Sequence, residues 1–137
     1  MITLTANGEP TLYPYLEALV MEIIRIKSHH KLLILSNGST IANPSIQRVL
    51  SQMDIVKLSL DCVSPQCFKK PDRAHKSIDI EVMIEGMKTF RSHFQGELIL
   101  EILVVEGMND SDTEFKLLND VLQSIKPNRI DIGTIDR

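Results

Sequence analysis

Cysteine is scarce in this chain of 137 residues, which contains only Cys62 and Cys67. A disulfide between positions so close in sequence would close a very short loop and add little stability. We therefore predict two reduced thiols that pack behind the loops of the site, as is usual in the cytoplasm. Their spacing also differs from the C-x-x-C motif of thiol oxidoreductases.

Long apolar runs and an excess of positive charge are also missing. No apolar stretch approaches the ~20 residues that span a bilayer, and the chain does not open with a signal peptide. The formal net charge is −3, which gives no overall attraction to nucleic acid or to anionic membranes. These features predict a cytoplasmic protein with no membrane partner.

The composition is that of a globular protein, with 43% hydrophobic and 24% charged residues. The length suits one domain with a real core, and no linker or low-complexity segment divides it. We predict a single domain over residues 1–137.

Short apolar runs alternate with helical patterns along the chain. The runs predict five strands: Ile2–Ala6, Lys31–Ser36, Ile55–Leu60, Glu97–Val105 and Arg129–Gly133. None of the connections has the signals of a hairpin. Strict alternation of this kind predicts parallel strands with right-handed crossovers.

The helical patterns carry their own start and stop signals. The first follows Pro14, and the second begins at Asn43 as N-cap with Pro44 in its first turn. The fourth begins with the capping-box pattern Ser111–Glu114 and stops before Pro127. Apolar residues at helical spacing predict the buried faces: Leu16, Leu19, Val20, Ile23 and Ile24; Ile46, Val49, Leu50 and Met53; Ile80, Met83, Ile84, Met87, Phe90 and Phe94; Phe115, Leu118, Leu122 and Ile125.

Small and polar residues follow four strands in turn: Asn7-Gly8-Glu9-Pro10, Ser36-Asn37-Gly38-Ser39, Ser59-Leu60-Asp61 and Glu106-Gly107-Met108-Asn109-Asp110. Such residues are common turn formers, so one loop alone says little. A doubly wound sheet gathers its polar groups at one crevice, whereas a barrel collects them from every strand at its mouth. We therefore predict an α/β fold with a partial (βα) barrel, sequential strands and helices on the outer face.

These loops resemble the core of the radical S-adenosylmethionine (radical SAM) superfamily, in the same order and spacing over nearly all of the chain. The matching segments are Gly8–Pro10, Ser36–Gly38, Ser59–Asp61 and Val105–Asp110. Asn7–Leu12, Lys57–Asp61 and the closing Ile135–Arg137 are most similar to the branch of wyosine-type tRNA-modifying synthetases. Each motif is a common turn, and it is the ordered set that is specific.

The resemblance implies a [4Fe-4S] cluster, which the family holds with three cysteines in a C-x3-C-x2-C loop after its first strand. Two cysteines at another spacing do not replace that loop, so we expect no cluster in this chain as given and assign no metal ligand. The first strand matches the family's second. We therefore expect a truncated piece whose cysteine trio lies roughly 30 to 50 residues before Gly8, one βα unit upstream. The exposed edge of Ile2–Ala6 would then favour self-association.

The resemblance also implies contacts to S-adenosylmethionine from the first loop. Asn7, Gly8 and Pro10 belong to a segment whose backbone carbonyls would accept the methionyl ammonium, because proline has no N–H to donate. Glu9 would mainly brace this loop.

The later loops would complete the cofactor site through Ser36, Asn37, Ser59, Asp61, Arg73, Val104 and Asn109. Ser59 and Asp61 lie where the family contacts the methionyl or ribose groups, and a carboxylate suits ribose hydroxyls. Arg73 would pair with the methionyl carboxylate, and the backbone from Val104 to Asn109 would flank the adenine.

By this resemblance, the full-length protein would be a radical SAM enzyme and this chain alone would be inactive. An electron from a flavodoxin or ferredoxin would pass through the cluster, and the 5′-deoxyadenosyl radical formed from S-adenosylmethionine would abstract a hydrogen from the substrate. RNA, in particular tRNA, is the implied substrate. The protein would contribute orientation and exclusion of water, and no catalytic residue is assigned.

Two other function classes stay open. A different βα-barrel enzyme, such as a phosphate-handling aldolase, would need a lysine nucleophile or a glycine-rich phosphate loop. Lys57 is the only lysine in the interior of a predicted strand, and no such loop accompanies it. A non-catalytic doubly wound binding domain would show one reversal of strand order and an acidic cluster after the first strand, where only Glu9 stands.

Two basic groups have ordinary explanations. His29 and His30 follow the first helix, where positive charge favours the C-terminus, and no nearby carboxylate or cysteine indicates a metal. A second group, Lys69, Lys70, Arg73, His75 and Lys76, could touch an RNA phosphate, although a solvated run of charge is more common.

Overall fold

The computed structural model describes residues 1–64, 67 and 79–134. The strands are β1 (Ile2–Leu4), β2 (Leu32–Ser36), β3 (Ile55–Ser59), β4 (Glu97–Val104) and β5 (Arg129–Thr134). The helices are α1 (Leu16–Ile26), α2 (Pro44–Leu50), α3 (Ile80–His93) and α4 (Asp112–Ile125), and a short 3-10 turn covers Pro10–Leu12. The five predicted strands are confirmed, and the largest difference is at β1, which ends at Leu4 instead of Ala6.

The strands form one open parallel sheet in chain order, β1-β2-β3-β4-β5. Ile34 is aligned with Val56 across β2 and β3, and Val56 with Leu98 across β3 and β4. The order has no reversal, so the doubly wound alternative does not apply to the described strands. Sequential parallel strands are the arrangement expected of a partial (βα) barrel.

One apolar core covers a single face of this sheet. The strands contribute alternate residues to it: Leu32, Ile34, Val56, Leu58, Leu98, Leu100 and Ile102. Each described helix adds to the same core, through nearly fully buried side chains such as Val20, Leu50, Phe90 and Ile125. The described helices therefore lie on one face, as predicted. The opposite face, called the inner face below, is left for the site.

Two of the predicted helix starts, at Asn43 and Ser111, are confirmed by their capping bonds. The Asn43 side chain accepts from the Ser45 N–H at 2.9 Å, and the Ser111 hydroxyl accepts from the Glu114 N–H at 3.1 Å. The capping box at α4 is only half formed, because the Glu114 carboxylate accepts from the Val63 N–H at 2.7 Å. Glu114 is buried and joins α4 to the segment after β3.

Two residues predicted to lie in the core are largely exposed. Phe115 is 41% exposed because Glu114 takes the inward position in the first turn of α4, and the next residue points about 100° away. Leu19 is 39% exposed at the flank of α1, whose buried positions are Leu16 and Val20.

The prediction of two reduced thiols is wrong for this structure. Cys62 and Cys67 form a disulfide, with Cα atoms 5.6 Å apart, and both side chains are buried. The Ser64 hydroxyl accepts from the Cys67 N–H at 3.1 Å and helps to hold Cys67 beside Cys62. Geometry decides whether two cysteines can be joined, whereas loop entropy only sets how much the bond stabilises.

Candidate functional site

The carboxyl ends of parallel strands meet at one edge of the sheet, and a cavity of about 260 Å³ opens there between the loops after β1 and β2. Its loop residues are Gly8, Glu9, Pro10, Ser36 and Asn37, here called the cofactor rim. Strand residues and one residue just beyond β1 form the rest of the wall: Thr5, Leu35, Lys57, Ser59 and Glu101. The structure thus brings together six of the predicted cofactor contacts, the five rim residues and Ser59.

The Glu9 carboxylate ties the two rim loops together. One oxygen accepts from the Asn37 N–H at 2.7 Å, and the other accepts from the Ser36 hydroxyl at 2.7 Å. The second oxygen also accepts from the N–H of Thr11 at 3.1 Å and from its hydroxyl. Glu9 is therefore a brace between loops, and its oxygens are occupied by the chain.

Gly8 is the residue of the cofactor rim that has open space beside it. A Cβ added there would meet no atom within 4 Å, and its backbone does not have a positive φ. Neither its N–H nor its carbonyl bonds to another residue in the described ranges. The carbonyls of Glu9 and Pro10, by contrast, accept from Leu12 and Tyr13 in the 3-10 turn. Among the carbonyls of Gly8, Glu9 and Pro10, that of Gly8 therefore remains available to a ligand.

The second rim loop depends on Gly38, which has a φ of +78°. A Cβ there would come within 2.9 Å of the Met87 Cε and would meet the core behind the rim. The Gly38 N–H donates to the Ser36 hydroxyl at 3.1 Å, which holds the turn that presents Asn37. A left-handed glycine at a tight turn against α3 therefore sets the shape of this loop.

Asn109 organises the other half of the edge, after β3 and β4. Its side chain is buried and accepts from the Val105 N–H at 2.8 Å. Its amide donates to the carbonyls of Asp61 and Leu103, both at 2.8 Å. The Asp61 carboxylate accepts from the Leu103 N–H at 2.8 Å. Asn109 thus holds the two strand ends together, and any contact that it makes to a ligand would come from its backbone.

Five predicted contacts are not brought into the cavity wall, and two of them are Asp61 and Asn109, described above. Asn7 is exposed in the loop before Gly8, and it is not part of the wall. Val104 shares the strand face of Ile102 and packs against the core. Arg73 and the basic group around it lie outside the described residues.

The sequence interpretation noted Lys57 but missed its two carboxylate partners on the inner face, Glu101 and Asp131. The ammonium of Lys57 lies 2.7 Å from Glu101 and 3.0 Å from Asp131, and Asp131 also pairs with Arg129 at 3.0 Å. The sequence signal was the two-residue repeat of a strand. Lys57 and Glu101 alternate with apolar residues that form the opposite face of β3 and β4. We refer to Lys57, Glu101 and Asp131 as the charged floor.

The pKa values of Lys57 and Asp131 favour the ionised forms of these two residues. The pKa of Lys57 is raised above its ordinary range, mainly because the ammonium donates to Glu101, with Asp131 acting in the same direction and partial burial opposing. The pKa of Asp131 is lowered, first by Arg129 and then by Lys57. Lys57 is therefore an ammonium at neutral pH, which does not suit the amine nucleophile of an aldolase.

The chain's own residues do not fit a [4Fe-4S] cluster. Three thiolates are needed, and its two cysteines are joined to each other. Within residues 1–64, 67 and 79–134, no group of three His, Cys, Asp or Glu side chains is placed to hold a metal. S-adenosylmethionine fits better, because the cofactor rim offers a cavity, an open glycine and an available carbonyl.

None of the helices in the described ranges has both the length and the apolar character needed to cross a bilayer.

The sequence is similar to several curated proteins, and the chain spans half of their length or less. A "UPF0026 protein" of Helicobacter pylori strain J99 is 44% identical over 137 residues, which cover all of this chain and 44% of that protein. A "UPF0026 protein" of Synechocystis is 30% identical over 133 residues, 97% of this chain and 49% of that protein. A "GTPase Obg" of Brachyspira hyodysenteriae is 35% identical over 136 residues, 99% of this chain and 20% of that protein.

The sequence profile of the radical SAM superfamily matches residues 2–117. The match runs from β1 into α4 and includes both rim loops, the end of β3 and the Asn109 segment. Since it covers most of the sequence, the chain belongs to the radical SAM superfamily.

Proposed function

We propose that this chain forms the part of a radical SAM enzyme that binds S-adenosylmethionine and orients it for reductive cleavage. Membership of the superfamily supports the class of reaction. The observation that carries the residue assignment is the rim at Gly8, where the unbonded backbone faces open space beside the cavity. S-adenosylmethionine supplies the radical chemistry when bound, and this chain supplies its position.

The residues divide this work between binding and support. Gly8 would accept the methionyl ammonium through its carbonyl, and Asn37 and Ser59 would contact the cofactor from the next two strands. Asp61 would contact a ribose hydroxyl, and Arg73, which lies outside the described residues, would pair with the methionyl carboxylate. Glu9 and Asn109 keep the loops in register, as their hydrogen bonds indicate.

The remaining parts of the enzyme follow from the superfamily. We propose that the full-length protein holds a [4Fe-4S] cluster on cysteines outside these 137 residues, that a flavodoxin or ferredoxin reduces it, and that the protein is cytoplasmic. This chain alone would then be inactive. The Cys62–Cys67 disulfide is unusual for that compartment, and its state is tested below.

Two finer assignments have less support. RNA is implied by the similarity to tRNA-modifying synthetases, but the inner face does not favour a polyanion, as argued below. The name of the Brachyspira relative suggests GTP hydrolysis by that protein. This chain has no Gly-Lys-Ser/Thr step of a phosphate-binding loop, and the match covers 20% of that protein. We assign no GTPase activity to it.

Binding of S-adenosylhomocysteine to the full-length protein, measured by isothermal titration calorimetry, tests the cofactor assignment without requiring turnover. We expect binding that Asp61→Ala weakens by about 1–3 kcal/mol, the loss of charge-assisted hydrogen bonds. Anaerobic reduction of the protein with S-adenosylmethionine in place of S-adenosylhomocysteine should then yield 5′-deoxyadenosine and methionine. Absence of binding would refute the assignment, and unchanged binding in Asp61→Ala would refute the role of that residue.

A further inference from the structure

The charged floor is the feature of the inner face that the cofactor assignment does not use. The register aligns Ser59 with Glu101 and Glu101 with Asp131, so these side chains lie in one row across β3, β4 and β5. Lys57 lies two residues before Ser59 and extends its ammonium to both carboxylates. This row is deeper in the sheet than Gly8 and on the side of β4 and β5, away from the loop after β1.

Several polar atoms of this region are available to a ligand. Lys57 binds one oxygen of Glu101, and the other oxygen has no hydrogen bond within the described ranges. The hydroxyls of Thr5 and Ser59, in the same cavity wall, likewise bond to no described residue. The Glu101 side chain is 47% exposed, whereas that of Lys57 is 21% exposed. A ligand therefore meets carboxylate and hydroxyl oxygens before it meets the ammonium.

The charges around the cavity also favour a cationic ligand. Two carboxylates, Glu9 and Glu101, line the cavity against one ammonium. Asp131 adds a third carboxylate beside it, which is paired with Arg129 as well, so that three carboxylates face two cations. Lys57 is shared between two of these carboxylates, so little of its charge is left for a phosphate. Opposite charges attract strongly in a partly enclosed site, and an anion here would be repelled.

We propose that the charged floor binds a protonated amino group of the substrate, with the unpaired oxygen of Glu101 as its main acceptor. This inference rests on the proposed function, because it places the substrate beside S-adenosylmethionine. Thr5 accepts a further N–H donor of the same amino group. Lys57 is a positioning residue that fixes Glu101. Its positive charge also weakens the attraction of the charged floor for a cation.

The test uses the full-length protein and three probes of similar size: 1,4-diaminobutane, 1,4-butanediol and inorganic phosphate. Binding is measured by calorimetry in the presence of saturating S-adenosylhomocysteine. We expect the diamine to bind and Glu101→Gln to weaken it at least tenfold, as for loss of a charged acceptor. The matched control is Glu85→Gln, which removes a similar carboxylate 3.0 Å from Lys88 on the outer surface of α3 and should leave diamine binding unchanged.

The Lys57→Met variant tests whether the ligand of the charged floor is a cation or an anion. An amino group should bind more tightly when the competing ammonium is removed, whereas a phosphate should bind more weakly. If Glu101→Gln does not fold, as judged by circular dichroism, Thr5→Val provides the second variant and should weaken diamine binding severalfold.

Three results would overturn the proposal: binding of phosphate or of a tRNA that Lys57→Met abolishes, diamine binding that neither Glu101→Gln nor Thr5→Val weakens, or no diamine binding while S-adenosylhomocysteine binds. Failure of S-adenosylhomocysteine itself to bind would instead refute the proposed function, so the two failures are distinguishable.

Discussion

The hydroxyl of Ser36, at the end of β2, donates a 2.7 Å hydrogen bond to the carboxylate of Glu9, in the loop after β1. The same carboxylate accepts from the N–H of Asn37 at 2.7 Å. A side chain thus joins two loops that are separated along the chain by the whole of α1.

Replacing Glu9 with Gln should loosen this joint. An amide has one accepting oxygen and one NH2 group, so at least one of the donors from Thr11, Ser36 and Asn37 would face another donor. We expect a loss of about 1–3 kcal/mol in the free energy of unfolding, measured by urea denaturation of the full-length protein. Glu17→Gln, at an exposed site on α1, is the control, and an equal effect of both variants would contradict the bracing role.

Asn109→Ala should be more damaging than its position in a loop suggests. The side chain satisfies the Val105 N–H and the carbonyls of Asp61 and Leu103, and alanine would leave these groups without that partner. We expect a loss of about 2–3 kcal/mol in unfolding free energy. Asn119→Ala, on the exposed surface of α4, should change it by less than about 0.5 kcal/mol. A loss below that limit for Asn109→Ala would argue against the bridge.

Gly8 and Gly38, the glycines of the two loops, should respond differently to substitution by alanine. Gly38→Ala should destabilise the protein by about 1–2 kcal/mol, because φ is +78° and the new methyl group would approach Met87. Gly8→Ala should leave the urea midpoint unchanged and weaken S-adenosylhomocysteine binding, since its Cβ would enter open space beside the cavity. Normal binding by Gly8→Ala would show that no ligand approaches this backbone.

Asp54 should contribute to the loss of stability in acid. Its carboxylate accepts from the Leu32 N–H at 2.7 Å, and this bond, with Lys27 nearby, lowers the pKa of Asp54 in the folded protein. A lowered folded pKa means that the stabilisation is complete above the unfolded value of about 3.9 and is lost as the pH falls through the folded value.

The corresponding experiment compares urea midpoints at pH 7 and pH 2.5. Asp54→Asn should be less stable than the parent at pH 7 and close to it at pH 2.5, so its midpoint should depend less on pH. Asp120→Asn, on the exposed face of α4, should keep the parent's dependence. Parallel curves for Asp54→Asn and the parent would contradict the assignment.

The disulfide can be tested by mass spectrometry. Trypsin should release Leu58–Lys69, which contains both cysteines, and alkylation before reduction should leave both unmodified. The double variant Cys62→Ser with Cys67→Ser should lose roughly 2 kcal/mol, the value expected for so short a loop. Full alkylation of both cysteines without reductant, in protein prepared under nitrogen, would show that the bridge is absent in the working protein.

The sequence was sufficient for the order of elements because each one carried a local signal. Asn43 and Ser111 could be identified as N-caps from residue type and position alone, and both make the expected bonds. The parallel, sequential sheet followed from strict alternation, since a connection with a helix favours a neighbouring parallel strand.

What the sequence did not reveal depends on contacts between distant residues. Glu114 was predicted to complete a capping box, but Val63, on the other side of the edge, binds its carboxylate. Phe115 was expected in the core from its helical spacing, but Glu114 takes the inward position in that turn of α4. The partners of Lys57 come from two later strands, so the charged floor depends on a register that no local pattern specifies.

The sequential sheet also has a consequence for how the chain folds. Every described strand pairs with the strand that precedes or follows it in the sequence. Each pairing therefore closes a loop of only one βα unit. The entropic cost of loop closure is therefore divided into small steps of similar size. We expect the pairings to form in more than one order, and a substitution in one βα unit should slow its own step without blocking the others.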